Sequence, residues 1–175
     1  IVPFGEFLPL ETILSKLGLK SITNNYQSYS PGLERKIFDF GNYDKIKILP
    51  LICYEIIYTG KLSKDFDYNI IINLSEDGWF GNSIGPYQHF AHTVFRSIEY
   101  GKYTLRSANN GISAIVDPSG AIIEKINLNN EGVISIKQIK KVDKTLFSEL
   151  GNKMYFLIIL LYIFLIFLFM RLKNE

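Results

Sequence analysis

Ile46-Lys47-Ile48-Leu49-Pro50-Leu51-Ile52-Cys53-Tyr54-Glu55 is an apolar run that stops on the single cysteine of the chain and meets a carboxylate two residues later. The β-branched and leucine content predicts a strand, and the run ends where a strand's C-terminal edge would lie. Open α/β sheets build their sites at that edge. A thiol placed there is a candidate nucleophile. The plainer reading of a lone cysteine is a small buried hydrophobe.

Working outward, Ile37-Phe38-Asp39-Phe40 alternates as a strand, and Asn42 to Asp44 makes the turn into the cysteine strand. Leu10 to Leu17 reads as a short helix, and Tyr29-Ser30-Pro31-Gly32 as a turn. Glu55 to Lys64 is expected to be a helix following Cys53. Asp67 to Leu74 carries a continuous apolar run, the pattern of a strand buried on both faces. Ser75 to Gln88 reads as a long polar-aromatic loop, of the kind that carries function in compact domains. His89 to Tyr100 follows as a helix with Phe90, Val94, Phe95 and Ile98 on one face. Thr104 to Ser107 is a strand. Gly111 to Val116 and Ala121 to Ile126 form a hairpin across Asp117-Pro118-Ser119-Gly120, and Gly132 to Ile136 is the last strand. Strands alternate with helices, so the fold class is α/β, in layers with helices covering the sheet.

From Met154 to Met170 no residue is charged. That run makes a helix of roughly 26 Å, near the lower limit for crossing a bilayer. It is apolar all round, which disfavours a helix lying in the membrane plane. The chain thus divides into a globular domain over residues 1–148 and a transmembrane helix over residues 153–171. Lys137, Lys140, Lys141, Lys144 and Lys153 lie on one side of the span and Arg171 and Lys173 on the other. The net charge of +2 gives no strong field for nucleic acid, which is not expected as a partner.

A thiol becomes a useful nucleophile when a cation or a helix N-terminus lowers its pKa. Cys53 would stand at the start of the helix near Glu55, whose free amides can hold a thiolate or a developing oxyanion. Glu55 is placed to orient a neighbour or accept a proton. Glu6, in Pro3-Phe4-Gly5-Glu6, is a further candidate carboxylate. His89 and His92 share a helix face; a Cys–His pair is one option, but helix packing or bonding to a loop is the expected role. No ligand set for a metal accompanies them, and no cofactor is expected. Ser113 and Ser119 sit in no nucleophile-elbow pattern, and no phosphate-cradling glycine loop is present.

Four segments together resemble a known family: Ile1 to Glu11, Pro50 to Glu55, Asn73 to His89 and Arg106 to Ala114. They are similar, in order and spacing, to segments of the apolipoprotein N-acyltransferases, members of the nitrilase or carbon–nitrogen hydrolase group. The resemblance implies a partial nitrilase-like α-β-β-α sandwich followed by one C-terminal transmembrane helix. It implies that Cys53 is the nucleophile, Glu6 an auxiliary active-site carboxylate, the Tyr54 amide an oxyanion donor and Glu55 a supporting residue. Trp79 and Phe80 would belong to a loop that meets the lipid. The implied partners are a phospholipid acyl donor, a diacylglyceryl-lipoprotein acceptor and the membrane. The implied location is the bacterial inner membrane, with the globular domain on its extracytoplasmic face.

The family's catalytic lysine lies just before the segment that begins at Ile1, and its general-base glutamate lies further upstream. Lys16 and Lys20 come too late to be that lysine. The expectation is that residues 1–175 alone are inactive and require an upstream fragment of the same enzyme. Two other classes stand beside this reading: a soluble-type amidase or nitrilase cleaving a C–N bond, and a non-catalytic membrane-anchored remnant.

Overall fold

The computed structural model describes residues 10, 13, 16–17, 30, 35–41, 46–60, 62, 67–140 and 142–173. Glu6 lies outside them, as do most of the expected Leu10–Leu17 helix and the turns at Tyr29–Gly32 and Asn42–Asp44. The described strands form one six-stranded sheet in sequential order. They are β1 (Phe38–Phe40), β2 (Ile46–Ile52), β3 (Ile70–Glu76), β4 (Tyr103–Asn109), β5 (Ser113–Val116) and β6 (Ile122–Ile126). β2, β3 and β4 run parallel, whereas β1, β5 and β6 attach antiparallel to their neighbours. A long helix, α1 (Gly85–Tyr100), makes the crossover from β3 to β4.

The register explains why one face is core. Leu49, Ile71, Thr104 and Val116 line up across four strands, and all are fully buried. One step toward the C-terminal edge lies the row Leu51, Asn73, Arg106 and Ala114, also buried but polar at its centre. Leu49, Leu51, Ile56, Ile71, Tyr68 and Tyr100 form the main cluster beneath β2 and β3. Burying each such aliphatic side chain is worth about 1.5–3 kcal/mol, enough to fix the register against a one-residue slip. On the opposite face the row Pro50, Ile72, Leu105 is half-buried, and Ile52 and Leu74 are half exposed. The described residues therefore supply one sheet and one helical layer of the sandwich.

Three expectations are corrected. The helix expected over Glu55 to Lys64 is a single 3-10 turn, Cys53–Ile57. Arg96 Nη1 donates to the carbonyl of Ile57, the group a continuing helix would need, and Tyr58 turns extended. The long loop expected over Ser75 to Gln88 is shorter: β3 continues to Glu76, a 3-10 turn spans Gly78–Phe80, and α1 already begins at Gly85. Gly85-Pro86 starts that helix, because proline at a first helical position forfeits no bond. Gly132 to Ile136 forms no strand; its backbone joins no ladder, and Val133 stands in solvent.

At the C-terminal end, α2 (Leu146–Leu150) is capped by Thr145, whose hydroxyl accepts from Ser148 N–H at 3.0 Å. α3 (Lys153–Lys173) follows after two residues, with almost its whole apolar surface exposed. It is long and apolar enough to cross a membrane by length and composition. Its root is pressed against the loop after the cysteine turn. Gly151, at φ +55°, brings its backbone so close to Gly60 that a Cβ there would lie 2.9 Å from the Gly60 carbonyl oxygen. Asn152 Nδ2 reaches the Thr59 carbonyl at 3.5 Å.

Candidate active site

Cys53 directly follows β2 and opens the 3-10 turn with φ +47°, a left-handed conformation that non-glycine residues seldom adopt. The thiol is partly exposed. Such a residue persists when its surroundings over-determine it, and strain of this kind clusters at functional sites. Glu55 closes the turn from one side. Its Oε2 accepts from Ile52 N–H at 2.9 Å and its Oε1 from Arg35 Nη2 at 2.8 Å. Burial alone would push the Glu55 carboxyl up, but the hydrogen bonds from Arg35 and Ile52 outweigh it and hold the pKa below the ordinary glutamate value. Glu55 thus braces the turn as a carboxylate. The first amides of the turn, Tyr54 N–H among them, have no acceptor within it.

Beneath the cysteine lies a polar cluster supplied by β3 and the residue that follows it. Asn73 and Ser75 share one face of β3 at the period of two, and Asp77, just past the strand's end, adds its carboxylate through the Ser75 hydroxyl. Asn73 Nδ2 donates to the carbonyls of Leu51 at 3.1 Å and Cys53 at 3.2 Å. Ser75 Oγ lies 3.7 Å from Cys53 Sγ and donates to Asp77 Oδ1 at 2.8 Å. Asp77 is 1% exposed and accepts from Arg106 Nη2 at 2.9 and 2.7 Å and from His89 Nδ1 at 2.9 Å. Burial would raise the Asp77 pKa, yet the His89 bond, the Arg106 charge and the Ser75 hydroxyl reverse that and hold it below the usual aspartate value. The carboxylate is charged, so His89 Nδ1 is the protonated nitrogen.

His89 therefore bonds a loop residue, as expected, and its hydrogen bond goes to Asp77 rather than to the thiol. Burial first, then Arg96 and His89, push the His92 pKa down from the ordinary histidine value. Tyr54, Phe80 and His89 pack ring against ring, with centroids 5.2 Å apart for Tyr54–His89 and 5.5 Å for Phe80–His89. With Gly85, Gln88 and Phe95 they line a cleft of about 340 Å³. Cys53 is not among the residues lining it, so this cleft flanks the nucleophile turn rather than containing the thiol. The pair Trp79-Phe80 divides: Phe80 points to the cleft, and Trp79 is 85% exposed. Ile84 and Tyr87 are exposed beside it.

Among the described residues no group of three His, Cys, Asp or Glu is arranged to hold a metal. Sequence reasoning assigned no role to Asn73, Ser75, Asp77, Arg106 or Arg35. The signals for them were that Asn73, Ser75, Asp77 and Arg106 fall in segments carrying the family resemblance, and that polar residues alternate after the apolar run of β3; Arg35 had none.

The carbon-nitrogen hydrolase family model matches residues 16–143. The chain belongs to the carbon-nitrogen hydrolase family. It is 43% identical over 155 residues to the apolipoprotein N-acyltransferase of Rickettsia typhi, covering 87% of this chain and 30% of that protein. It is 42% identical over 134 residues to that of Allorhizobium ampelinum (76% of this chain, 25% of that protein). With the Bradyrhizobium diazoefficiens protein it shares 37% over 153 residues (87% and 28%). The chain thus spans between a quarter and a third of the length of these relatives. The fold matches a Saccharomyces cerevisiae protein of branch 10 of the nitrilase superfamily, at TM-score 0.50 and 21% identity, over 59% of this chain and 41% of that one. A Xanthomonas campestris CN-hydrolase superfamily protein, solved with an arsenic adduct in its active site, matches at TM-score 0.50 and 17% identity, over 62% and 45%.

Proposed function

We propose that this chain carries the nucleophile of an apolipoprotein N-acyltransferase and acts on lipid substrates at a membrane. The observation that carries the reading is Cys53 itself: a partly exposed thiol held at positive φ on a sheet's C-terminal edge, braced by Glu55 and Asn73. The similarity to enzymes of that name supplies the substrate class.

In the first half-reaction the Cys53 thiolate attacks the ester carbonyl carbon of a phospholipid acyl chain. A C–S bond forms, the ester C–O bond breaks, and the lysophospholipid leaves after taking a proton. In the second, the α-amino nitrogen of a diacylglyceryl-cysteine attacks the thioester carbon. A C–N bond forms, the C–S bond breaks, and the thiol takes back a proton. The Tyr54 N–H is the proposed donor to the oxyanion in both steps; one such donor is worth about 10²–10³-fold in rate. Glu55 supports the turn, and Glu6 is the proposed auxiliary carboxylate. Trp79 and its exposed apolar neighbours are the proposed lipid-contacting group, as indole rings favour the headgroup level. The proposed location is the inner membrane, anchored by α3, with the globular domain on the extracytoplasmic side. The catalytic lysine and general base are proposed to come from an upstream segment of the same enzyme, without which residues 1–175 are inactive.

The test is acyl trapping. Membranes carrying the full-length protein are incubated with phospholipid bearing a labelled acyl chain, and the label is sought on the Cys53 peptide. A hydroxylamine-labile label, absent in Cys53→Ala and discharged by a diacylglyceryl-peptide, is the expected result. Ammonia release from small amides without acyl capture would point instead to an amidase. Slow alkylation of Cys53 with neither activity would point to a non-catalytic protein.

A further inference from the structure

Arg106 is buried beneath the nucleophile turn, 3% exposed, in the polar row between Asn73 and Ala114. Each arm of its fork is engaged. Nε donates to the Ile112 carbonyl at 3.2 Å, Nη1 to Asn73 Oδ1, and Nη2 to both oxygens of Asp77. Two of these arms lead to Cys53 by separate routes. Through Nη1 the guanidinium fixes which way the Asn73 amide faces, and the other end of that amide holds the Leu51 and Cys53 carbonyls. Through Nη2 it pins Asp77, whose Oδ1 claims the Ser75 hydroxyl hydrogen and so sets the Ser75 oxygen against the sulfur.

We propose that Arg106 is a positioning residue for the nucleophile, bracing the Cys53 carbonyl through Asn73 and the Cys53 sulfur through Asp77 and Ser75. This rests on the reading of Cys53 as the nucleophile. The geometry requires a planar fork: a single ammonium can neutralise Asp77 but cannot reach Asn73 and Ile112 in the same plane. A left-handed cysteine needs such over-determination, since its backbone has no intrinsic preference for that conformation. Electrostatics agree. Burial lowers the Arg106 pKa below its ordinary value, and the Asp77 carboxylate and, after it, the Cys53 sulfur recover only part of that loss.

The competing account is a core ion pair that contributes stability alone. Full-length protein in membranes separates the two accounts, using Arg106→Lys, Asn73→Ala, their double variant and Ser97→Ala. The last removes a buried bond of 2.7 Å to Thr104, two residues along β4 from Arg106 but not linked to the cysteine. Two quantities are read: acyl-thioester formation, and the pH midpoint of iodoacetamide alkylation at the Cys53 peptide. Each single brace variant is expected to slow thioester formation by roughly ten- to a hundred-fold, since small misplacements of a reacting atom cost that much. The double variant is expected to be no slower than the worse single one, because Asn73→Ala breaks one of the two routes that Arg106→Lys already disrupts. The alkylation midpoint is expected to shift in both singles and to stay put in Ser97→Ala. Independent, multiplicative losses, or an equal loss in Ser97→Ala at matched thermal stability, would overturn the proposal. Should Arg106→Lys fail to fold, Asn73→Ala against Ser97→Ala decides. Should the wild type capture no acyl group, the nucleophile reading fails by itself, and the alkylation midpoints still decide whether the brace exists.

Discussion

Replacing Glu55 tests how the cysteine turn is held. The side chain ties two things together: the Ile52 N–H at the end of β2 and the Arg35 guanidinium, at 2.9 and 2.8 Å. Glu55→Ala deletes both charge-assisted bonds. Each is worth about 1.5–3 kcal/mol in a buried setting. Arg35 is 19% exposed in this pair and can rehydrate in part, so its share belongs at or below the low end. The sum is about 3 kcal/mol, or a fall in Tm of about 10 °C for a domain of this size. Glu55→Gln keeps one acceptor oxygen and the shape, so about 1 kcal/mol is expected. Thermal unfolding of the full-length protein in detergent, followed by circular dichroism, measures both. If Glu55→Ala melted within a degree of wild type while thioester formation was lost, the bracing role would be refuted and Glu55 would have to act on the chemistry directly.

Three further outcomes follow from the same geometry. Gly111→Ala is expected to destabilise by about 2–3 kcal/mol, because its Cβ would lie 2.6 Å from the Asp77 carboxyl carbon, which Arg106 holds in place; a melting curve checks it. The domain is expected to lose stability on acidification through the carboxylate range. The folded pKa values of Asp77 and Glu55 lie below their unfolded values, so the stability they confer is full above the ordinary carboxylate pKa of about 4 and disappears as pH falls through their folded values; Tm against pH in wild type and Glu55→Gln reads this. Leu161→Lys places a charge in the middle of α3 and is expected to cost about 2.5–3.5 kcal/mol of insertion, shifting protein out of the membrane fraction. An unchanged fraction would show that α3 does not span.

The strand that ends on Cys53 was legible because aliphatic content, length and the following polar residue all agree. So was α1 from His89 onward, since its apolar spacing is regular. What stayed hidden depended on partners remote in sequence. Nothing local marks Arg106 as buried; its position opposite Asn73 is created by the register of two parallel strands 33 residues apart. The turn at Cys53 stops short because Arg96, on another element, takes the Ile57 carbonyl. Gly85-Pro86 was counted in the loop over Ser75 to Gln88 and is a helix start, since the same dipeptide serves either purpose until its position relative to the helix is known. Gly132 to Ile136 has strand composition without a neighbour to pair with among the described residues.

The contact of Gly151 and Asn152 with the Thr59-Gly60 segment bears on how such a protein would meet its substrates. A domain on a slack leash wanders over the membrane at varying heights. Here the leash has no slack: the same loop that leaves the cysteine turn grips the first residues before α3. On the proposed function the sulfur would ride at one altitude above the lipid, and selection among the proposed acyl donors would become partly a matter of how far a chain must rise to meet it.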